Sequence, residues 1–307
     1  MKLRKIIFIN ILIFISLFLK PSASGPLLPK DCIKDGNLQT VKMHIKNGAD
    51  INGKYKSGET ALILAAGKDL FNIVRLLINK GADIYYETKY NETSLTAAAE
   101  TDSLKTAQLL IKKSEPNKRK KDYIDSALFS AARADSYNVA ELLIKNGAEV
   151  NSRNEENETP LMYAARGDSL KTAQLLLQKG AHVNSKDIYG STALMAASRT
   201  NAFNTAKLLI DYGADINAKS DKGHTPLMYA SAGNSYKTAK LLIEKGADIN
   251  ANDNHGYTPL MYAAKARALE SARFLILQGA QINLQEKKEL KSIISEIKNK
   301  GIEIDSY

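Results

Sequence analysis

The chain has 307 residues, of which 44% are hydrophobic, and a formal net charge of +10 at pH 7. That hydrophobic content excludes an intrinsically disordered chain, and the single cysteine, Cys32, excludes an intramolecular disulfide. Residues 1–24 hold four basic and no acidic side chains, so the rest of the chain carries only +6. This near balance argues against a nucleic-acid partner.

The N-terminus has the three-part pattern of a secretory signal. Basic residues precede an apolar run over residues 6–19, and the small residues Ser22 and Ser24 follow it. We therefore predict a signal peptide over residues 1–24, with cleavage between Ser24 and Gly25. The run is shorter than the about 20 residues that span a bilayer, which disfavours the alternative of an uncleaved anchor. We expect an exported protein, periplasmic or secreted or at the cell surface, without membrane insertion after signal removal.

Hydroxyl residues recur at a fixed spacing of 33 positions through most of the chain, with no insertion or deletion between them. Such a period indicates a stack of one repeated unit and not a single globular core. We number the seven units repeat 1 to repeat 7 in chain order, and we call residues at the same place in successive repeats a column. The anchor residues are Thr60, Thr93, Ser126, Thr159, Thr192, Thr225 and Thr258.

The columns predict two helices in each repeat. The anchor hydroxyl caps a first helix, and the proline that follows it in repeats 4, 6 and 7 suits the first helical position. An alanine five residues after every anchor suits close helix packing. A serine after Asp or Asn, at Ser103, Ser136, Ser169 and Ser235, predicts the start of a second helix. A glycine such as Gly180 ends that helix in left-handed backbone, and a polar, hairpin-like loop leads to the next anchor.

This pattern resembles the ankyrin repeat. The matching segments are TPLMYAARGDSLKTAQLLLQKGAHVN (159–184), TPLMYASAGNSYKTAKLLIEKGADIN (225–250) and TPLMYAAKARALESARFLILQGAQIN (258–283). The resemblance covers about residues 30–285. It implies an all-α solenoid of stacked helix–turn–helix units with projecting hairpin-like loops.

The register also divides the chain into segments. After the signal peptide, we predict an N-terminal capping partial repeat over residues 25–57, because only its second helix and its Gly-Ala-Asp turn match the columns. Seven 33-residue repeats occupy residues 58–283. A C-terminal cap helix follows over residues 284–307, where Leu290, Ile293 and Ile297 share one face. Polar caps at both ends lead us to expect a monomer.

The sequence departs from the family pattern at two places. The histidine that follows TPL in the family is replaced by methionine at Met162, Met195, Met228 and Met261, so packing is expected to replace its hydrogen bonds. The turn of the third unit, counting the partial one first, lacks its glycine. The basic stretch over residues 112–121 falls there, and we interpret it as a solvated loop or a contact for an acidic partner.

The register accounts for most residues that could carry chemistry. Cys32 occupies the alanine column of the partial repeat, which predicts a buried structural role. Asn91 and Asn157 begin Asn-x-Thr triplets, but both occupy a glycine column in which asparagine tolerates left-handed backbone. The four histidines lie in different columns, without metal-ligand spacing. We therefore predict no enzymatic activity, catalytic residue, metal or cofactor.

The resemblance implies that the chain is a scaffold that binds another protein. The matching surface comprises the loop tips and the inner face of the first helices. The candidate loop residues are Tyr90, Tyr189, Lys222, His224, His255 and Tyr257. The candidate helix residues are Lys68, Arg133, Arg166, Arg199 and Lys265.

Four of these basic residues, Arg133, Arg166, Arg199 and Lys265, share one column and predict a positive stripe that suits an acidic partner. Two alternatives stay open at this point. One is a structural role in the cell envelope without a discrete partner. The other is a small-ligand or enzymatic role at the irregular third unit.

Overall fold

The computed structural model describes residues 25–114 and 118–282, with the single positions 291 and 295. The predicted signal peptide lies outside these residues, and so does nearly all of the predicted cap helix over residues 284–307. The described residues split between Ser94 and Leu95 into two compact units.

The described residues form sixteen α-helices. No strand accompanies them in this part of the chain beyond two isolated bridges, Leu27 with Asp50 and Lys54 with Thr60. The helices are α1 Lys30–Lys34, α2 Leu38–Lys46, α3 Ala61–Gly67, α4 Phe71–Asn79, α5 Ser94–Glu100, α6 Leu104–Lys113, α7 Lys118–Ala134, α8 Tyr137–Lys145, α9 Pro160–Gly167, α10 Leu170–Gln178, α11 Ala193–Thr200, α12 Phe203–Asp211, α13 Pro226–Ala232, α14 Tyr236–Glu244, α15 Pro259–Lys265 and α16 Leu269–Leu277.

Helices stack in chain order within the second unit. The first helices α7, α9, α11, α13 and α15 pack one against the next, and each also packs against the second helix of its own repeat. The alanine column, represented by Ala164, Ala197 and Ala230, is fully buried between them. A methyl group at these positions allows adjacent helices to approach closely, which is why all seven repeats hold alanine there.

The predicted anchor caps are confirmed in most repeats. The hydroxyls of Thr159, Thr192 and Thr225 each accept the backbone N–H three residues on, at 3.3–3.4 Å. Methionine takes part in the same motif, because Met195 Sδ accepts the Thr192 backbone N–H at 3.4 Å. The thioether is a weak acceptor. The methionine that replaces the family's histidine therefore accepts a hydrogen bond at a position where we expected packing alone.

Several second helices receive a capping side chain from the preceding repeat. Ser136 stands at the N-cap of α8, but its side chain makes no capping bond. Instead, Asp102 of the preceding repeat accepts the Val139 backbone N–H at 3.0 Å. In the same way, Asp135 accepts the Thr172 N–H at 2.8 Å. These acidic residues lie in left-handed backbone, with φ of 50° at Asp102 and 56° at Asp135. The caps of α8 and α10 thus form only when the preceding repeat is stacked against them.

The anchor role predicted for Ser126 is wrong. Helix α7 runs from Lys118 to Ala134 without interruption, and the Ser126 hydroxyl donates to the Tyr123 carbonyl within it. The reason is local, because Ile124 stands where other repeats have glycine or asparagine, and a β-branched residue disfavours the left-handed turn. The basic residues 118–121 are therefore helical, which corrects the loop interpretation of this part, while residues 115–117 lie outside the described residues.

Asparagine side chains hold the loops of adjacent repeats together. Asn184 Nδ2 donates to the Gly213 carbonyl at 3.0 Å, and Asn184 Oδ1 accepts the Asp215 N–H at 2.8 Å. Asn151 and Asn217 make the same pair of bonds in their repeats. The loop tips are also joined by backbone bonds, such as Asp221 N–H to the Tyr189 carbonyl at 3.0 Å. The loops therefore form a preorganised surface.

Candidate functional site

A groove of about 660 Å³ lies along the loops and first helices of repeats 4 to 6, and we call it the repeat-5 groove. Its walls include Glu158 and Arg166 from repeat 4, Arg199 from repeat 5 and Tyr229 from repeat 6. A second cavity of about 360 Å³ continues it toward Tyr262 of repeat 7 and shares Arg199, His224 and Tyr229 with it. The volume of the first cavity falls within the range of about 300–1,000 Å³ that ligand sites occupy.

Small residues in two columns account for the position of the groove. The column before the anchor holds Glu158, His224 and Tyr257 in repeats 4, 6 and 7, but Ser191 in repeat 5. The column four residues after the anchor holds tyrosine in repeats 4, 6 and 7, but Ala196 in repeat 5. Both Ser191 and Ala196 line the groove. Repeat 5 therefore lacks two side chains that its neighbours supply.

Repeat 4 shows what these two columns do when they are filled. Glu158, whose side chain is only 6% exposed, forms an ion pair with Arg166. Asn154 Nδ2 donates to Glu158 Oε2 at 3.0 Å and to the Tyr163 hydroxyl at 3.2 Å. The Arg166 guanidinium lies 5.2 Å from the centre of the Tyr163 ring. Burial raises the pKa of Tyr163 above its usual range. This cluster is satisfied internally.

The side chains of the predicted basic column differ in the partners that neutralise or contact them. Arg133 forms an ion pair with Glu100, which occupies the same column one repeat earlier. Arg166 pairs with Glu158. Lys265 lies 5.6 Å from the centre of the Tyr257 ring. Arg199 is exposed and forms no side-chain hydrogen bond, ion pair or ring contact with any described residue, because Ser191 stands where repeat 4 has Glu158.

A hydrogen-bonded cluster closes the other end of the groove. The Tyr262 hydroxyl donates to Asp253 Oδ2 at 2.7 Å and lies 2.8 Å from His224 Nε2. Since the hydroxyl has one proton and gives it to Asp253, neutral His224 donates from Nε2. The His224 ring also packs edge-on against Tyr229 and Tyr262, with centroid distances of 5.7 and 5.3 Å.

The environment of this cluster shifts its titrations. Burial lowers the pKa of His224, although Asp253 acts in the opposite direction. Burial alone would raise the pKa of Asp253, but hydrogen bonds from Tyr262 and from the backbone N–H groups of Tyr257 and His255 lower it overall. His224 is therefore held neutral beside an ionised Asp253 at neutral pH.

The structure brings together five of the predicted partner-binding residues. Arg166, Arg199, Tyr189, Lys222 and His224 all line the repeat-5 groove. Tyr189 is 59% exposed at its loop tip. The remaining predicted residues do not line the groove. These are Lys68, Arg133, Lys265, Tyr90, His255 and Tyr257, of which Lys68 and Tyr90 belong to the first unit.

The sequence prediction missed several residues that shape the groove. Asp187, Ser191 and Ala196 were not singled out, and neither were Glu158 and Tyr229. Their signal was present in the sequence as column departures, since Ser191 and Ala196 are the small members of columns that hold large residues in repeats 4, 6 and 7. Comparing repeats with each other, and not only with the family pattern, would have identified them.

Three further features concern the described residues only. Within residues 25–114 and 118–282, no group of three or more His, Cys, Asp or Glu side chains could hold a metal ion. No helix among them combines the length and the apolar character that crossing a bilayer requires. The Cys32 side chain is buried, and its thiol donates to the Pro29 carbonyl at 2.8 Å.

Comparison with protein families matches the chain to ankyrin repeats (3 copies) over residues 31–122, 109–187, 128–220 and 194–286. These matches cover well over half of the chain and agree with the all-helical fold. Comparison with curated proteins gave no match. Ankyrin repeats are in general modules for protein–protein interaction. The chain belongs to the ankyrin repeat family.

Proposed function

We propose that this protein is an exported, non-catalytic scaffold that binds another protein through the repeat-5 groove and the adjoining loop tips. One observation carries the proposal. The exposed guanidinium of Arg199 lines the groove and has no carboxylate partner among the described residues, whereas Arg166 is paired with Glu158. An unpaired arginine in a preformed cavity is a typical anchor for a protein partner. The asparagine and backbone hydrogen bonds between adjacent loops support the proposal, because a preorganised surface loses little conformational entropy on binding.

The partner is proposed to present acidic side chains. Arg199 and Lys222 line the groove and are exposed. Lys265 lies in the same column as Arg199, two repeats further along. Arg133 and Arg166 contribute less, because Glu100 and Glu158 neutralise them. We therefore expect the acidic side chains of the partner to contact repeats 5 to 7 and not the whole length of the basic column.

Crosslinking in intact cells followed by mass spectrometry would identify the partner and test the proposed binding. The same experiment with Arg199→Glu should lose the partner, since the reversed charge repels acidic side chains. Lys207→Glu is a matched control, because Lys207 is exposed on the second helix of the same repeat and does not line the groove. Equal capture by both variants would refute the role of the groove.

Export is a separate part of the proposal and has a separate test. It rests on the sequence pattern of residues 1–24. N-terminal sequencing of the protein recovered from the envelope or the medium should begin at Gly25. A recovered chain that begins at Met1 would contradict cleavage, and recovery only from the cytoplasm would contradict export.

A further inference from the structure

We propose that the repeat-5 groove receives an extended segment of the partner in which a tyrosine and an acidic residue are separated by one residue. This inference rests on the proposed protein-binding function and specifies its ligand. The tyrosine would occupy the space beside Ala196, and the acidic side chain would pair with Arg199. The partner would thereby supply the two side chains that repeat 4 carries itself, at Tyr163 and Glu158.

The place for the tyrosine is defined by the neighbouring repeats. In repeat 7, the Tyr262 hydroxyl donates to Asp253 Oδ2 at 2.7 Å. Asp187 occupies the column of Asp253 in repeat 5, and its Oδ1 accepts the Tyr189 and Ser191 backbone N–H groups at 2.8 Å. Its Oδ2 accepts no hydrogen bond from a described residue, because Ala196 stands where repeat 7 has Tyr262. A tyrosine hydroxyl from a partner would satisfy this oxygen, whereas phenylalanine would not.

The place for the carboxylate follows from the same comparison. In repeat 4 the guanidinium of the basic column binds the carboxylate of Glu158. In repeat 5 the guanidinium of Arg199 is present, but Ser191 leaves the carboxylate position empty of an acidic side chain. Arginine pairs with a carboxylate through two parallel donors, so an incoming Asp or Glu would make the same type of contact.

The spacing of the two side chains comes from repeat 4. One amide nitrogen, Asn154 Nδ2, donates to both Glu158 Oε2 at 3.0 Å and the Tyr163 hydroxyl at 3.2 Å. The two polar groups are therefore close neighbours on one face. In an extended segment, side chains two positions apart lie on the same face, about 6.8 Å from each other along the chain. Adjacent residues point to opposite faces, so we infer the i, i+2 spacing.

Charge limits the number of acidic residues in the segment. Glu156 and Asp221 also line the groove, together with Asp187, and would repel additional carboxylates. The groove therefore fits one carboxylate beside Arg199 and does not fit a run of acidic residues. This distinguishes the inferred ligand from a generally acidic surface.

A peptide array tests the inference directly. The mature chain, residues 25–307, is applied to octapeptides with a Gly/Ser frame and every pair of amino acids at positions i and i+2. A second set carries the same pairs at adjacent positions. We expect the strongest binding for Tyr with Asp or Glu at i and i+2, in one of the two orders. Replacing the acidic residue by its amide, or tyrosine by phenylalanine, should weaken binding by about tenfold. An array without this preference would overturn the inference.

A variant that fills the groove gives the complementary test. Ser191→Glu with Ala196→Tyr installs the residues that repeat 4 holds at the same columns, and it should abolish binding of the preferred peptides. The matched control is Gln174→Tyr with Asn204→Glu, which adds the same side chains at exposed positions outside the groove. Retained binding by the filled variant would overturn the inference.

Further measurements separate a wrong ligand from an unfolded variant and from a wrong proposed function. If melting shows that the filled variant is unfolded, Arg199→Gln decides, since it should remove the preference for an acidic peptide. An array without the Tyr-x-acid preference, alongside a cellular partner that is still lost in Arg199→Glu, would refute only the inferred ligand. Partner capture that is unaffected by Arg199→Glu would refute the proposed function itself.

Discussion

Asp102 Oδ1 accepts the backbone N–H of Val139, 37 positions further along the chain, at a distance of 3.0 Å. The bond caps helix α8 with a side chain from the preceding repeat. Asp135 and Asn234 cap the second helices of later repeats in the same way, at 2.8 and 3.3 Å. An interaction that ordinarily stabilises a single helix here joins two repeats, so helix formation and stacking are coupled.

Removing one of these bonds should destabilise the stack. Asp135→Ala removes the cap of α10 and places alanine in left-handed backbone, so we expect a loss of about 1–2 kcal/mol in the free energy of unfolding. Asp135→Asn is the control, because asparagine keeps the acceptor and occupies the same column at Asn201 and Asn234. Urea unfolding followed by circular dichroism measures both. Equal destabilisation by the two variants would show that the bond is not the cause.

Two arginines of one column should differ in their effect on stability. Arg166 pairs with Glu158, which is buried, whereas Arg199 has no such partner in the described residues. We expect Arg166→Ala to lower the free energy of unfolding by about 1 kcal/mol, because it leaves a buried carboxylate unpaired. Arg199→Ala should change it by less than about 0.5 kcal/mol. Parallel urea titrations compare them, and a larger loss for Arg199→Ala would contradict the assigned contacts.

Stability should fall as the pH drops below the ordinary histidine pKa of 6.5, because burial lowers the pKa of His224 in the folded state. Below pH 6.5 the unfolded chain binds a proton that the folded chain does not, so unfolding is favoured down to the lowered pKa. The groups that face the ring are Asp253, Tyr229 and Tyr262, with Lys222 and His255 nearby.

The variant His224→Gln isolates this effect. Its free energy of unfolding, measured from pH 8 to pH 5, should show a weaker decline than that of the original chain. The lowered pKa of Asp253 acts in a separate window, since its contribution is lost only as the pH falls below 3.8. Identical pH profiles between pH 8 and pH 5 would show that His224 is not the group responsible.

The loss of stability on substitution of Asn184 should depend on how many of its two hydrogen bonds the new side chain keeps. Asn184→Asp retains the acceptor for the Asp215 N–H but loses the donor to the Gly213 carbonyl. Asn184→Ala loses both, and we expect about 1–2 kcal/mol of destabilisation, with roughly half of that for Asn184→Asp. Hydrogen exchange at the Asp215 amide should accelerate most in the alanine variant. Unchanged exchange at Asp215 would contradict the role of Asn184.

Much of the fold could be predicted from the sequence. The 33-residue period located the helix pairs, and the Thr anchors and Gly turns located their ends, because capping depends on a few neighbouring residues. The prediction failed at Ser126, where Ile124 lacks the backbone freedom of glycine and the helix continues through the anchor. A column gives the average environment of a residue, and a local departure can override it.

The candidate site was predicted less completely. The basic column was identified. Whether a basic side chain is neutralised by an ion pair depends on the residue that meets it, such as Glu158, which stands just before an anchor and pairs with Arg166. The groove arises because Ser191 and Ala196 are smaller than the residues in the same columns of repeats 4, 6 and 7. The absence of a large side chain does not form a recognisable sequence motif.

The amino-acid sequence alone determined the repeated unit, most of its helix boundaries and its membership of a binding-module family, since these follow from local propensities repeated at a constant interval. Only the tertiary structure decided which residues are available to a partner. Ion pairs and caps form between residues 33 to 37 positions apart when repeats stack, as the Arg133 side chain with Glu100 and the Val139 backbone N–H with Asp102 show. Stacking satisfies those groups and leaves Arg199 exposed beside the groove of repeat 5.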